Sequence, residues 1–228
     1  RLPPEPPQAR HNGAIPPPTI AMALFDKLFG SRPEDRPESR LPAERQAALD
    51  GSPSALEAAR LLRAPTALMQ LSEAEALTVV GFMRPRRFGS GTTIIRQGEA
   101  SDTGFMVLVL DGEITVETLI ARRSNPVTVT VLGPGSLIGE MSLVDGAARS
   151  ASCTASSDVH CAVLTREALE ALIAEQPATA AKLMTAVAQR LAERLRDSSH
   201  KLHIYGRLVQ TMQQEIDALM PTPDRRQR

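Results

Sequence analysis

The sequence predicts a mainly β domain with helices on both sides of it. Between Arg86 and Thr165, segments rich in β-branched residues recur about every 8 to 15 residues, and glycine-bearing turns separate several of them. Many short strands at such spacing are typical of a sandwich, a roll or a barrel. The flanking stretches carry apolar residues at helical spacing instead, so the predicted order is helices, β domain, helices.

Residues 1–51 are predicted to be a disordered extension, rich in proline and then in charge. The first 21 residues hold seven of the 18 prolines and show no apolar periodicity. Such a composition buries too little apolar surface to offset the entropy of ordering. We expect Met22, which opens the apolar stretch MALFDKLFG, to be the natural start.

Two helices are predicted between residues 52 and 85. The stretch SPSALEAARLLRA has helical spacing and is interrupted by Pro65. Ser72 and Glu75 then have the spacing of a capping box, in which each side chain bonds the other residue's backbone N–H. This second helix is expected to run to about Met83, with Pro85 closing it.

The predicted β domain spans residues 86–165. Its strand candidates are TTIIR, FMVLVL, EITVETLI, PVTVTVL, SASCTA and VHCAVL. Asp111-Gly112 lies between two of the apolar runs, and both residues accept a positive φ, so this dipeptide predicts a tight hairpin.

Residues 166–220 are predicted to be helical, and 221–228 to be a tail. REALEALIAEQ forms one helix up to Pro177. Beyond it, apolar or small residues alternate spacings of four and three, which is the pattern of a coiled coil. They stand at positions 184, 188, 191, 195, 198, 202, 205, 209, 212, 216 and 219. Because this seam is longer than one small domain can cover, we expect a homodimer through residues 184–219.

Composition excludes several classes of function. Twenty-six basic and 26 acidic residues give no net charge, so the chain has no general field for nucleic acid. Six aromatic residues leave little for stacking on single strands. No apolar run reaches the roughly 18 residues of a membrane span, and no signal peptide is recognisable. Two cysteines without a CxxC pattern favour reduced residues, and we expect a cytoplasmic protein.

The stretch GPGSLIGEMSLVDGAARSASCTA, residues 133–155, carries the chemistry. Gly139 to Leu143 reads as a turn or helical start whose backbone N–H groups suit an anion. Arg149 can bind a phosphate with two donors, and the carboxylate of Glu140 can accept from a sugar hydroxyl. Together they describe a nucleotide site, while the alternative is a surface Glu–Arg pair beside a glycine turn.

This stretch resembles the phosphate-binding cassette of the cyclic-nucleotide-binding domains in catabolite activators, protein kinase A regulatory subunits and cyclic-nucleotide-gated channels. RRFGSGTTIIRQGEASDTGFMVLVLDGEITV is similar to the opening strands of that family. The resemblance implies a β-roll, a jelly-roll-like double-stranded β-helix, and a cyclic nucleotide, cAMP or cGMP, as the ligand. It covers about half of the chain, or two-thirds with the C-terminal helices.

By this resemblance, Glu140 accepts from the ribose 2′-hydroxyl and Arg149 binds the cyclic phosphate, helped by Ser150. Backbone N–H groups of the cassette assist, and the helix after Pro177 is a lid. The predicted ligand-binding residues are Ile138, Gly139, Glu140, Met141, Ser142, Arg149, Ser150, Ala151 and Arg190. Arg194 and Leu195 stand where catabolite activators use hydroxyl residues to read adenine, which departs from that pattern.

The resemblance therefore implies a regulatory sensor that couples cyclic-nucleotide binding to rearrangement of a C-terminal helix, with a protein partner that the sequence does not name. Too few residues follow the long helix for a winged helix-turn-helix, so we expect no DNA binding by that route. An enzyme is not expected, because no hydrolase, zincin or Walker motif occurs and the sequence indicates no metal or cofactor site. The alternative is an interaction scaffold of the same fold that binds no ligand or a cyclic dinucleotide.

Overall fold

The computed structural model describes residues 42–49, 52–101, 103–118 and 127–219. The predicted segment 1–41, with its expected start at Met22, and the predicted tail 221–228 lie outside the described residues. In chain order the elements are α1 (Pro42–Leu49), α2 (Pro53–Leu62), α3 (Glu73–Gly81), β1 (Arg84–Phe88), β2 (Thr93–Ile95), β3 (Phe105–Asp111), β4 (Ile114–Thr118), β5 (Val127–Leu132), β6 (Leu137–Ile138), α4 (Glu140–Asp145), β7 (Ser152–Ala155), β8 (Val159–Thr165), α5 (Arg166–Glu175) and α6 (Pro177–Leu219).

The strands form two antiparallel four-stranded sheets. Their strand orders are β1-β8-β3-β6 and β2-β7-β4-β5. Apolar side chains from both sheets share one core cluster, in which Val107, Ile114 and Val159 are fully buried. This arrangement confirms the predicted β-roll with helices before and after it.

The hairpin predicted at Asp111-Gly112 is wrong. Strand β3 pairs with β6 and β8, whereas β4 pairs with β5 and β7, so the dipeptide carries the chain from one sheet to the other. Gly112 does have the expected positive φ, +86°, and a Cβ there would lie 2.2 Å from the carbonyl oxygen of Asp158. Local sequence therefore identified the sharp turn correctly, but strand pairing depends on residues far away in the chain.

Two strands of the structure, β1 and β6, were not among the strand candidates predicted from the sequence. Strand β1 contains Pro85, which was expected to close the preceding helix and instead pairs with Ala162. Proline is tolerated because β1 lies at the edge of its sheet, where one side of the strand needs no ladder bonds. Strand β6 has two residues, Leu137 and Ile138, too few to show an alternating pattern.

The disorder predicted for residues 1–51 is wrong at residues 42–49, which form helix α1. Its Arg45 is 5% exposed, lies 4.3 Å above the ring of Phe82 and forms an ion pair with Glu175, the last residue of α5. A guanidinium over an aromatic ring and next to a carboxylate is stabilised by both. Arg45 thus holds α1 against helices that precede and follow the roll in the chain.

The capping box of α3 is confirmed. The Ser72 hydroxyl accepts from the Glu75 backbone N–H at 3.3 Å, and the Glu75 carboxylate accepts from the Ser72 N–H at 2.9 Å. The same carboxylate forms an ion pair with Lys182 of α6. These contacts hold the start of α3 against the long helix.

The helices pack on one face of the roll through a second core cluster. Fully buried members include Leu62 of α2, Val79 of α3, Leu164 of β8 and Leu172 of α5. Their apolar side chains come from elements far apart in sequence, so this cluster joins the N-terminal and C-terminal helices across the roll.

Helix α6 is continuous for 43 residues, through Ser198 and Gly206, where the sequence suggested a bend. Its first part buries Leu183 and Val187, and Met184 and Leu191 of the predicted seam pack against the same core. The first residues of the heptad pattern therefore pack against the core of this chain and not against a second copy. No helix in the described part of the chain is both long and apolar enough to cross a membrane.

Candidate functional site

A cavity of about 440 Å³ lies between the β6–α4 cassette, strand β5 and helix α6. This volume falls within the range of about 300 to 1,000 Å³ that is typical of small-molecule sites. All of the residues predicted from the sequence to bind ligand line it, namely Ile138, Gly139, Glu140, Met141, Ser142, Arg149, Ser150, Ala151 and Arg190. The structure brings the predicted residues together, and their role in binding stays a prediction.

Gly139 shapes the turn at which β6 passes into α4. Its φ is +79°, and a Cβ at this position would lie 2.7 Å from Nη1 of Arg149 and 2.9 Å from the carbonyl oxygen of Phe105. Both the backbone conformation and the close approach of the guanidinium therefore require glycine. This turn lets the cassette fold directly over Arg149.

The guanidinium of Arg149 is held in place below the cassette. Arg149 is 4% exposed, and its Nη1 donates to the carbonyl oxygens of Phe105 and Gly139, each at 3.1 Å. The guanidinium carbon lies 4.2 Å from the centroid of the Phe105 ring. Its backbone is anchored as well, because its N–H donates to Glu99 O at 2.9 Å and its carbonyl accepts from Gly98 N at 2.8 Å. A fixed, buried cation is therefore placed beside the cavity.

Glu140, the first residue of α4, is also buried, with 3% exposure. Its Oε1 accepts from Nη1 of Arg194 in an ion pair across the cavity. Because Glu140 and Arg149 are both almost fully buried, the alternative reading of this motif as a surface Glu–Arg pair is wrong. A buried carboxylate and a buried guanidinium therefore line one cavity.

Cys153 lines the same cavity, and its pKa depends on the charged side chains around it. Burial raises the pKa of its thiol to about 11, and the charges of Arg149, Glu140 and Arg194 shift that pKa further in opposing directions. All three charged side chains therefore lie close enough to Cys153 to act on its thiol. The thiol stays protonated at neutral pH, so Cys153 acts as a small apolar residue.

Helix α6 forms the other wall of the cavity. Arg190 is 29% exposed, and its Nη1 lies 3.6 Å from Oε2 of Glu193 on the same helix. The two residues that depart from the activator pattern separate in the structure: Arg194 lines the cavity, whereas Leu195 is 68% exposed and lies outside its lining.

Arg194 was not among the site residues predicted from the sequence. The signal was present, because Arg194 follows Arg190 by four residues and so lies on the same face of the helix. Asp197, Ser198 and Lys201 continue along that face and line the cavity too. The partner of Arg194, however, is 54 residues upstream, and no spacing rule identifies it.

Comparison with known proteins places the roll in a family. Residues 85–176 match the family model described as the cyclic nucleotide-binding domain. The roll belongs to the cyclic nucleotide-binding domain family. The match begins in β1 and ends directly after α5, so it contains the β-roll and the cassette and leaves α6 outside.

Curated relatives include regulators and channels. The domain is similar to the cyclic AMP receptor protein of Thermus thermophilus, with 34% identity over 124 residues, or 54% of this chain and 56% of that protein. A cyclic nucleotide-gated potassium channel of Rhizobium etli is 34% identical over 100 residues, which are 44% of this chain and 26% of the channel. The chain thus spans about half the length of the first of these relatives and a smaller part of the second.

Solved structures agree with this placement. A cyclic nucleotide-binding domain from Methylobacillus flagellatus superposes with a TM-score of 0.56 at 29% identity, covering 65% of this chain and 82% of that one. The catabolite activator protein of Thermus thermophilus gives a TM-score of 0.53 at 31% identity, covering 60% of this chain and 61% of that one.

Proposed function

We propose that this chain is a cyclic-nucleotide sensor whose cyclic nucleotide-binding domain controls the long helix α6. The observation that carries the proposal is the pair of buried charges, Glu140 and Arg149, that line one cavity of ligand size. Both side chains line the same cavity, so a ligand with one anionic group and one hydroxyl donor can bind the guanidinium and the carboxylate together.

A cyclic nucleotide supplies these groups in one molecule. Its phosphodiester carries a single negative charge for the guanidinium of Arg149, with the Ser150 hydroxyl as a further donor. Its ribose 2′-hydroxyl donates to Glu140, and the base then extends toward β5 and the α6 wall that contains Arg190. Because Glu140 can accept a hydrogen bond from the 2′-hydroxyl, this arrangement favours ribose over deoxyribose.

Arg166 offers a route from the cassette to α6. It is the first residue of α5, and its Nη2 donates to the carbonyl oxygens of Ser142 at 3.2 Å and Leu143 at 2.8 Å, in α4. A ligand that moves α4 therefore pulls on α5, which leads directly into α6 at Pro177. Ligand binding would then shift an existing equilibrium between positions of the long helix.

The exposed part of α6 is proposed to pair with a second copy of this chain. From Leu195 to Leu219 the heptad positions a, d and e carry no charged residue. At a they are Leu195, Leu202, Val209 and Ile216; at d, Ser198, Tyr205, Met212 and Leu219; at e, Ser199, Gly206 and Gln213. Apolar residues at the a and d positions are typical of a two-stranded coiled coil.

The proposed role is regulatory, in the cytoplasm, with a protein partner as the output. The chain is not proposed to be an enzyme, since its cavity presents a carboxylate and guanidinium groups suited to binding a nucleotide. The relatives described above are named a cyclic AMP receptor protein and a cyclic nucleotide-gated channel, which supports this view.

Isothermal titration with cAMP and cGMP tests the function. We expect micromolar or tighter binding of at least one, lost in Arg149→Ala and weakened less in Glu140→Ala. Arg96→Ala is the matched control, because Arg96 is an exposed arginine of the same roll that is absent from the cavity lining. Thermal unfolding of each variant checks that the fold persists. A folded wild type that binds neither nucleotide would refute the proposal and favour a scaffold or a cyclic-dinucleotide protein.

A further inference from the structure

Arg194 contributes an interaction that the proposed binding scheme does not use. Its guanidinium forms an ion pair with Glu140, the carboxylate assigned to the ribose. Arg194 is 52% exposed, whereas Glu140 is 3% exposed, so the arginine reaches from the edge of the cavity to a buried partner. Any ligand hydroxyl that binds Glu140 must share this carboxylate with Arg194 or displace the arginine from it.

The position of Arg194 on α6 gives this ion pair a second consequence. The last buried residue of α6 is Val187, and every described side chain from Leu195 onward is exposed. Arg194 therefore binds the roll where the long helix leaves it. A shift in the position of Glu140 would therefore act on Arg194, at the point where the exposed half of α6 begins.

The burial of Glu140 distinguishes sharing from displacement. Glu140 is 3% exposed, and Arg194 is its ion-pair partner. If Arg194 left, Glu140 would keep its buried charge with a neutral hydroxyl as its new partner, which is unfavourable.

The geometry also permits sharing. Arg194 occupies Oε1 of Glu140 with one N–H, and a carboxylate can accept several hydrogen bonds through its two oxygens. Oε2 can therefore take the ribose hydroxyl while Arg194 remains. The guanidinium retains further N–H donors for the ligand, since it has five in total.

We propose that Arg194 is a positioning residue for the nucleotide: it stays on Glu140 when ligand binds, orients that carboxylate toward the ribose hydroxyl, and thereby fixes α6 to the occupied site. The inference rests on the proposed function. Arg194 acts through Glu140, so its contribution depends on the presence of the 2′-hydroxyl in the ligand.

The test compares Arg194→Gln with wild type for a cyclic nucleotide and for its 2′-deoxy analogue, by isothermal titration. We expect Arg194→Gln to bind the ribonucleotide at least about tenfold more weakly, the size of a lost hydrogen bond to a charged group. We also expect its preference for the ribonucleotide over the deoxy analogue to fall by a similar factor. Arg194→Lys keeps the charge and should restore part of both.

Arg196→Gln is the matched control, because Arg196 is an exposed arginine of the same helix that is absent from the cavity lining. It should behave as wild type, and thermal unfolding should show both Gln variants folded. Unchanged or tighter binding by Arg194→Gln overturns the inference, and so does an unchanged preference for the ribonucleotide. If Arg149→Ala still abolishes binding, the proposed function survives these results. If wild type binds neither nucleotide, both the proposed function and the inferred role of Arg194 are refuted.

Discussion

The two halves of helix α6 share one heptad pattern but have opposite environments. From Pro177 to Arg194 the helix packs on α3 and α5 and buries residues such as Leu183 and Val187. From Leu195 onward its described side chains are exposed, including Leu202 at 70% and Val209 at 64%. The apolar face of α6 thus packs against the chain's own core in the first half and is exposed in the second half. Period alone predicts an amphipathic helix and does not identify what covers its apolar face.

The largest expected effect comes from placing charge on the exposed half. Leu202→Asp combined with Val209→Asp puts two carboxylates at a positions on each helix of the proposed dimer, where they would face their copies. We expect complete dissociation to monomers with the roll intact, as measured by sedimentation velocity.

The control for this variant carries the same charge on another face of α6. His203→Asp combined with Gln210→Asp changes b positions, and we expect it to remain a dimer. If the Leu202 and Val209 variant also remains a dimer, or if the wild type is a monomer, the stripe does not join two copies.

A smaller effect distinguishes the packed half from the exposed half by stability. Leu183 is 1% exposed, so Leu183→Ala should lower the free energy of unfolding by about 2 to 5 kcal/mol. Ile204 is 50% exposed and lies at a c position, away from the a and d stripe, so Ile204→Ala should change it by less than about 0.5 kcal/mol. Urea denaturation of the two variants measures the difference, and similar losses at both positions would contradict the division of the helix.

The smallest effect concerns the surface of the packed half, where Lys182 meets Glu75. The hydrogen bond from Lys182, aided by the one from the Ser72 backbone, lowers the pKa of Glu75 to about 2. In the unfolded chain this pKa is about 4.3. The carboxylate therefore adds stability above about pH 4.3, and that contribution is lost as the pH falls toward 2.

Glu75→Gln keeps the capping-box geometry and removes the charge. We expect its melting temperature to lie slightly below that of wild type at pH 6 and to converge with it near pH 2, in scanning calorimetry. Glu73→Gln, an exposed position on the same helical turn, serves as the control. A constant offset at all pH values would show that the charge of Glu75 is not responsible.

Local signals allowed much of the fold and site to be predicted from the sequence. The cassette residues from Ile138 to Ala151 lie in one short segment of the chain, so the family resemblance that this segment carries was enough to identify them. The capping box at Ser72 and the helix after Pro177 are local for the same reason. The binding roles assigned to these residues stay predictions.

Features that depend on distant partners were missed. Helix α1 is held by Arg45, whose partner Glu175 is 130 residues away, so the composition of residues 1–51 alone suggested disorder throughout. The chain turns sharply at Gly112 as predicted, but the choice of sheet for β4 depends on β5 and β7. Arg194 belongs to the same class, since its significance appears only when α6 is docked.

The uninterrupted length of α6 makes it a lever. Twenty-five residues separate Arg194 from Leu219, which corresponds to about 38 Å of helix at 1.5 Å per residue. A tilt of about 10° around Arg194 would therefore move the far end by roughly 6 to 7 Å, while atoms at the root shift by much less. A small adjustment at Glu140, the carboxylate that we propose to bind the ribose, would thus become a displacement of several ångströms at the end of the helix, where a protein partner could bind.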